Sequence, residues 1–299
     1  MKKILNNKDV MNNVAPWLFL LPSIAILVTF LFIPIIEAFR WSFLDYQLIA
    51  ETSTFVGLEN FREIFTDELF WEAFGNTILY IVIVLPLNIF LPMILAVLVN
   101  QKIKAVGMFR VLYYIPVITP IVVGALMWKM LYAQNGTLSN ILLSIGIIDS
   151  SMNFLTNSST ALVAVAFITV WRGLGYYMII YLANLQSIPK QLYESASIDG
   201  ANSIQQFTKI TIPMLVPSIT LVSILTLVNG LKVFEEIALT TNGGPAGATT
   251  TLVMYIYDKF MEFDVSIASA AGLVLLAMAI IGSLLQMKLT SGREKDLKS

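Results

Sequence analysis

LQSIPKQLYESASIDGANSIQQFTKITIPMLVPS, residues 185–218, interrupts a mostly apolar chain with two acids, a cluster of small residues and a glycine. Its punctuation is informative. Ser187 can cap a helix that carries Pro189 in its first turn, where a missing N–H costs little, and this helix is predicted to run to about Ile198. Gly200 then permits a left-handed backbone as the stop. Ser203 and Gln206 fit an S-x-x-Q capping box for a second short helix bearing Ile204, Phe207 and Ile210, which Pro213 is predicted to break. The segment reads as a helical hairpin lying at a membrane surface between two apolar runs.

The rest of the chain supports that setting. Its 299 residues are 57% hydrophobic and only 12% charged, against about 25% charged in an ordinary soluble domain. The mean hydropathy is +0.80. A spanning helix needs roughly 20 apolar residues, because every backbone polar group must be satisfied without water. Six stretches qualify, at about 17–36, 74–99, 109–131, 160–183, 214–234 and 267–288. The predicted fold class is therefore an all-α, polytopic membrane protein of six transmembrane helices with a cytoplasmic helical hairpin. Prolines at 22, 34, 86, 92, 116 and 120 place kink points in the first three helices. The first apolar run is longer than the 7–15 residue core of a signal peptide and lacks a small-residue cleavage site, so it reads as a retained span.

Basic residues set the orientation. Lys2, Lys3, Lys8, Lys102, Lys104, Arg110, Lys190, Lys209, Lys288, Arg293, Lys295 and Lys298 fall on one side, twelve in all, and Arg40, Arg62, Lys129, Lys232 and Lys259 on the other. By the positive-inside rule both termini and the hairpin are cytoplasmic. The domains follow: a cytoplasmic tail over 1–16, a transmembrane domain over 17–288 containing the 185–217 loop, and a cytoplasmic tail over 289–299. Outside, residues 37–73 hold eight acids against two bases, and FVGLENFREIFTDELFWEAF (55–74) is predicted to contain a short surface helix.

Inventory excludes much chemistry. There is no cysteine and no histidine, which rules out disulfides, thiolate chemistry, Cys/His zinc sites and a Ser-His-Asp triad. A net charge of -1 gives no reason to expect a nucleic-acid partner. NGGPAGATT (242–250) is glycine-rich, but the Lys-Ser/Thr of a phosphate loop is missing after Gly247, so it reads as a turn-rich external loop.

Polar residues inside apolar spans are costly and so mark candidate sites. Arg172 lies mid-span, where a charge costs about 2.5–3.5 kcal/mol on insertion scales. It either faces a polar cavity or snorkels toward the cytoplasm, and both readings stand. Trp171, Tyr176 and Tyr177 accompany it as aromatic surfaces of the kind that hold sugars. In the fifth span, Asn229 lies roughly 22 Å along from Met214 and, with the helix-weakening Gly230, suits a solute cavity. Lys232 and Glu236 are four apart and are expected to pair with each other.

The hairpin's own face suits docking. Ser195, Ala196 and Ser197 let another backbone approach, Leu192 and Tyr193 supply apolar contact, and Glu194 offers a charge. A lipid-resting helix would be rich in Lys and Arg, whereas Lys190 is the sole base from 185 to 206. YESASIDGANSIQQFTKITIPMLVPS resembles the EAA loop of bacterial ABC importer permeases, matching it at Glu194, Ala196, Asp199, Gly200, Ala201, Phe207, Ile210 and Pro213. Ser195 stands for the loop's first alanine after the glutamate, and Ile212 for a leucine. FVGLENF (55–61), NTILY (76–80), FRVLYYIPVITPIVVGALMWKMLY (109–132), WRGLGYYMIIYLANLQSIP (171–189) and TNGGPAGATTTLVMYIY (241–257) further resemble the maltose-transporter-type carbohydrate permeases. IASAAG (267–272) fits less closely, because Ser266-Ile267 stands where that family has Gly-Tyr.

The resemblance implies a permease subunit, not an enzyme, in a binding-protein-dependent importer of the bacterial plasma membrane. Its substrate would be a carbohydrate or related polyol, carried by alternating access. The implied partners are two ATP-binding subunits, a second homologous permease subunit and an extracytoplasmic sugar-binding protein, within membrane lipid. No cofactor or metal is expected on this chain; ATP and Mg would sit on the partner subunits. Coupling would fall to Glu194, Ser195, Ala196, Asp199, Gly200 and Ala201, and the substrate path to Trp171, Arg172, Tyr176, Tyr177, Asn229 and Gly230. The rival is an ion-coupled secondary transporter of a small polar solute, which would want an intramembrane acid; no central Asp or Glu is expected in these spans.

Overall fold

The computed structural model describes residues 7–47, 52–101 and 106–296. The lysines counted at 2, 3, 102, 104 and 298 lie outside the described residues, as do residues 1–6 and 297–299 of the two expected tails. In chain order the elements are α1 (Asn7–Leu27), a π-helical turn (Val28–Phe32), α2 (Ile33–Trp41), β1 (Leu44–Gln47), β2 (Thr52–Phe55), α3 (Glu59–Thr66), α4 (Glu68–Val99), α5 (Val106–Ile118), α6 (Ile121–Tyr132), α7 (Thr137–Ser144) and α8 (Ser158–Ser187). There follow α9 (Lys190–Ile198), α10 (Ser203–Gln206), a second π-helical turn (Phe207–Thr211), α11 (Ile212–Met214), α12 (Val216–Leu231), α13 (Glu235–Thr240), α14 (Leu252–Met261) and α15 (Val265–Asp296).

The architecture is that of a polytopic all-α membrane protein. Four helical stretches among the described residues are long and apolar enough to cross a bilayer: Pro16–Trp41, Glu68–Val99, Ser158–Ser187 and Val265–Leu289. Of the two other predicted spans, 109–131 is broken, and 214–234 is a single helix that ends three residues early, after a bend at the boundary where the hairpin's second helix was expected to stop. Residues 106–118 and 121–132 bend by 99°, and 203–214 and 216–231 by 65°. The expected helix over 109–131 is thus two helices. Pro120 has no N–H and disfavours helix in the residue before it, so Thr119 ends the first piece and Pro120 leads the second from ψ 136°. Prolines do not break every helix, since α4 passes Pro86 and Pro92 as one element.

Pro213 also behaves differently from expectation. It sits in the first turn of α11, directly after the π turn, where its missing N–H costs little. The break comes two residues later, at Leu215. Two four-residue strands were not expected. LDYQ and TSTF pair antiparallel, Leu44 opposite Phe55 through Gln47 opposite Thr52; LDYQ alternates over four residues only and TSTF not at all. The expected surface helix is α3, and Asp67 then caps α4 by accepting from the Leu69 N–H at 2.9 Å, so this span begins six residues earlier than hydropathy indicates.

The chain divides into two compact units, residues 1–64 with 259–273, and residues 65–258 with 274–299. In the first, Asn60 Nδ2 donates to the carbonyls of Ser42 and Leu44, and the Tyr46 N–H donates to Ser266 Oγ at 2.8 Å. In the second, α4 and α8 form the spine. Tyr80, Val84, Val165 and Ile168 share one buried cluster, and Met93, Ala96, Met178 and Tyr181 another. Lipid is as apolar as leucine, so spans associate through close packing and hydrogen bonds and gain little from the hydrophobic effect. Small residues on α8, including Ala161, Ala164, Ala166 and Gly175, are accordingly buried. The 242–250 loop is turn-rich as expected, and α4 pins it: Asn76 Nδ2 donates to the carbonyls of Gly247 and Thr250, both at 2.9 Å.

Candidate functional site: a polar cavity and a surface hairpin

The first feature is a cavity of about 470 Å³ in the second unit, lined chiefly by α4, α8, the end of α12 and the start of α13. Of the six substrate-path candidates, Arg172, Tyr176, Tyr177 and Asn229 line it. Trp171 and Gly230 do not. Trp171 turns the other way and meets Trp128 edge-on at 5.8 Å. Gly230 is buried against Ile81. The α8 residues that line the cavity, Thr169, Arg172, Gly173, Tyr176 and Tyr177, recur at three- and four-residue spacing on one face, and at about 100° per residue Trp171 falls on the opposite face.

Arg172 stands at the middle of α8, and its Nη1 donates to Glu236 Oε1 at 3.1 Å. This corrects two expectations. Glu236 does not pair with Lys232, because α12 ends at Leu231 and a new helix begins at Glu235, which removes the four-residue register. An acid does reach the centre of a span, delivered by a chain break and not by a span's own sequence. The ion pair favours the cavity reading of Arg172 over snorkelling.

Three residues that line the cavity each carry a buried side-chain atom with no hydrogen-bond partner within the protein: Asn88 Oδ1, Thr226 Oγ1 and Arg172 Nε. Buried polar groups are nearly always bonded; these three make the cavity's lining polar, although none of the three atoms is open to it in this conformation. Asn88 and Thr226 were missed in the sequence. Asn88 had a usable signal, an amide inside an apolar run bracketed by Pro86 and Pro92; Thr226 had none, since threonine bonds back to its own helix without penalty.

Removing one partner of the central ion pair leaves an uncompensated charge. Arg172→Ala or Glu236→Ala alone is expected to destabilise the protein by about 2–3 kcal/mol, below the fully buried range because the Arg172 side chain keeps 33% exposure. The double variant Arg172→Met with Glu236→Leu should recover most of that loss. Thermal melting in detergent measures both; additive losses would mean that the pair is not energetically coupled.

The second feature is the hairpin. Its turn is as expected, with Gly200 at φ +82°. Its start is not. Ser187 is the last residue of α8, its hydroxyl donating to the Asn184 carbonyl, and Pro189 itself occupies the cap of α9. The capping box lies one residue earlier than expected: Asn202 Oδ1 accepts from the Gln205 N–H, and Gln205 Oε1 accepts from the Asn202 N–H. Gln206 instead donates to Ser197 Oγ at 2.8 Å, lashing the two helices together.

The hairpin's outward face holds Glu194, Ser195, Asp199 and Gly200, with Ala196 and Ala201 half-buried. Tyr193 faces the bundle, not a partner, and its hydroxyl shares a hydrogen bond with Thr211 Oγ1 at 2.9 Å. The apolar residues left outside are Leu192, Ile198 and Ile204, the last two 87% and 74% exposed.

Residues 89–293 match the family described as binding-protein-dependent transport system inner membrane component. The probable ABC transporter permease protein YurN of Bacillus subtilis is 34% identical over 289 residues, 95% of this chain and 99% of the relative. The lactose transport system permease protein LacF of Rhizobium radiobacter is 34% identical over 282 residues, 93% of this chain and 94% of the relative. The fold is similar to that of a chain in the crystal structure of a bacterial ABC transporter that imports the acidic polysaccharide alginate, with a TM-score of 0.83 at 28% identity over 95% of this chain and 97% of that one. A bacterial alginate transporter in complex with its pentasaccharide-bound periplasmic protein gives a TM-score of 0.82, also at 28% identity, over 95% of this chain and 96% of that one.

Proposed function

Because the chain belongs to the family of binding-protein-dependent transport system inner membrane components, we propose that it is the permease subunit of an ATP-driven importer, carrying a carbohydrate or related polyol across the bacterial plasma membrane by alternating access. The observation that carries this reading is the mid-span cavity, whose lining sets Asn88, Thr226, Asn229 and the Arg172–Glu236 ion pair beside Tyr176 and Tyr177. Lactose and alginate, the cargoes named for similar proteins, agree with it.

In this reading an extracytoplasmic binding protein delivers the sugar. A second permease subunit completes the pore, and two ATP-binding subunits hold ATP and Mg. Both termini and the hairpin face the cytoplasm in this reading, which the distribution of basic residues supports. Glu194, Ser195, Ala196, Asp199, Gly200 and Ala201 couple the hairpin to the ATP-binding subunits. ATP and the loaded binding protein shift the equilibrium only through their differential affinity for the outward state, and the hairpin transmits that preference. An ion-coupled carrier would use a free carboxylate in the cavity wall; Glu236 is committed to Arg172, which leaves Glu235 as the one lining carboxylate for such a rival.

Purification of the tagged protein from its native membrane in mild detergent, with mass spectrometry of stoichiometric partners, tests the assembly. A P-loop ATPase and a second six-span subunit are the expected companions; the chain alone, transporting without ATP, would reverse the reading. The exposed tip gives a sharper test. Ile198→Asp places a charge where an apolar side chain is 87% exposed, and a buried apolar anchor at an interface is worth about 2 kcal/mol or more. Recovery of the ATP-binding subunit with the variant should fall about tenfold or more. Unchanged recovery would exclude Ile198 from the interface.

A further inference from the structure

We propose that a second cavity, beneath the hairpin, binds a neutral saccharide from the cytoplasm, so that imported sugar slows its own further uptake. The feedback half of this proposal rests on the coupling role given to the hairpin above. The cavity encloses about 310 Å³ within the second unit. One wall is the end of α4, with Asn100 and Gln101; the facing wall is the hairpin, with Tyr193, Ser203, Gln206 and Phe207. Asn100, Gln101 and Ser203 are exposed, and among the described residues their side chains make no hydrogen bond within the protein. Gln206 Nε2 donates to Ser197 Oγ and the Ala201 carbonyl, which leaves its Oε1 to accept. An amide presents one acceptor and two donors, and a hydroxyl is both. Two open amides, a serine hydroxyl and a glutamine oxygen therefore match a ligand whose groups each donate and accept, as sugar hydroxyls do. Tyr193 and Phe207 are half-buried and add aromatic surface for the C–H face of a sugar ring.

What the wall lacks narrows the class. None of the lining residues is charged. A phosphate, a nucleotide or an amino acid would lose hydration there without gaining a charge-assisted bond. The volume lies at the lower end of the roughly 300–1,000 Å³ of ligand pockets, which suits one or two sugar rings. The position gives binding a mechanical consequence. Among the described residues no hydrogen bond joins Asn100 or Gln101 to the hairpin. A sugar that bridges these amides to Ser203 and Gln206 supplies bonds that exist only while the two walls keep their spacing. A ligand shifts an equilibrium through its differential affinity for the two states, so a sugar here holds the hairpin against the movement that ATP drives. The hairpin lies on the side where imported sugar collects, and the restraint grows as it accumulates.

The test uses the complex with its ATP-binding subunits, in nanodiscs of phosphatidylethanolamine and phosphatidylglycerol, with the binding protein withheld. Saturation-transfer NMR probes glucose, galactose, maltose and lactose, and at least one should bind saturably. Asn100→Ala and Gln101→Ala should each weaken that probe about two- to tenfold, the size of one net hydrogen bond. Ser203→Trp, which fills the cavity, should abolish the binding. In sealed proteoliposomes with the ATP-binding subunits outermost, the same sugar added outside should lower ATP hydrolysis about fivefold at saturation, the lower end of typical coupling between two sites. Enclosed inside, it should not. The double variant Asn100→Ala with Gln101→Ala should hydrolyse ATP normally without sugar and resist inhibition with it. Saturable binding of no probe overturns the site, as does binding that Tyr176→Ala removes and the α4 and Ser203 variants leave alone. Loss of the probe signal when a few mole per cent of monogalactosyl diacylglycerol is added to the discs would assign the cavity to a lipid headgroup and overturn the free-sugar reading. Binding without inhibition from the outer side overturns the feedback. Ordinary uptake in Gly200→Pro would remove the coupling reading and the feedback with it, while the NMR result still decides the site.

Discussion

Gly200→Pro abolishes uptake and binding-protein-stimulated ATP hydrolysis, while the variant still inserts in the membrane at wild-type abundance. Gly200 lies at φ +82°, and its N–H donates to the Ser197 carbonyl at 3.2 Å. Proline fixes φ near −65° and has no N–H, so it can satisfy neither condition. The turn must reopen, which breaks the Gln206 to Ser197 bond and the close return of Ala201 N–H to the Ala196 carbonyl at 2.9 Å. The spans lie outside this hairpin, and insertion depends on them alone. Gly200→Ala is the graded control: a left-handed alanine costs about 1–2 kcal/mol and leaves the turn's hydrogen bonds possible, so uptake should fall only in part. Glu194→Lys should match the proline variant by a different route, reversing the charge on the outward face without moving the backbone. Normal uptake in both Gly200→Pro and Glu194→Lys would separate the hairpin from coupling altogether.

Gly175→Leu yields no folded protein, and Gly175→Ala lowers the melting temperature by several degrees. A Cβ on Gly175 would fall 2.0 Å from the Tyr113 carbonyl oxygen and 3.1 Å from Tyr114 Cα, all on the backbone of α5. Side chains can rotate away, but a helix backbone cannot. The two helices would have to separate, and overpacking of this kind costs about 1–3 kcal/mol for small intrusions and more for large ones. Because α8 carries residues of both buried clusters, the displacement would spread into each. Gly107→Ala is the matched control, since a Cβ there meets no atom within 4 Å. Thermal melting of the three variants in detergent separates the outcomes; equal stability of Gly175→Ala and wild type would show that α5 and α8 part freely.

Much of the cavity and the hairpin was legible in the chain, and the misses have physical reasons. NSIQQ holds two overlapping capping boxes, Asn202 with Gln205 and Ser203 with Gln206. They are equivalent as local patterns. Asn202 and Gln205 make the box, and Gln206 instead uses its Nε2 to donate to Ser197 Oγ on the preceding helix. Tyr193 was read as a contact for a partner, yet its ring packs inward because Thr211, eighteen residues later, sits within reach of its hydroxyl. In both cases a residue outside the pattern took the decisive bond.

Composition, run length, proline and glycine placement and the count of lysines were enough to establish a helical membrane protein, its apolar segments and a surface hairpin turning at Gly200. Those properties are local: they depend on backbone polarity against lipid and on the few dihedrals each residue allows. Which carboxylate meets Arg172, that Trp171 faces away from the cavity, and that Asn88 and Thr226 line it together were settled by packing. The sequence separation from Arg172 to Glu236 is 64 residues, and no periodicity reaches across it. The contact exists because α12 stops at Leu231 and the chain re-enters as α13 against the middle of α8, a geometry set by the fit of helices against one another.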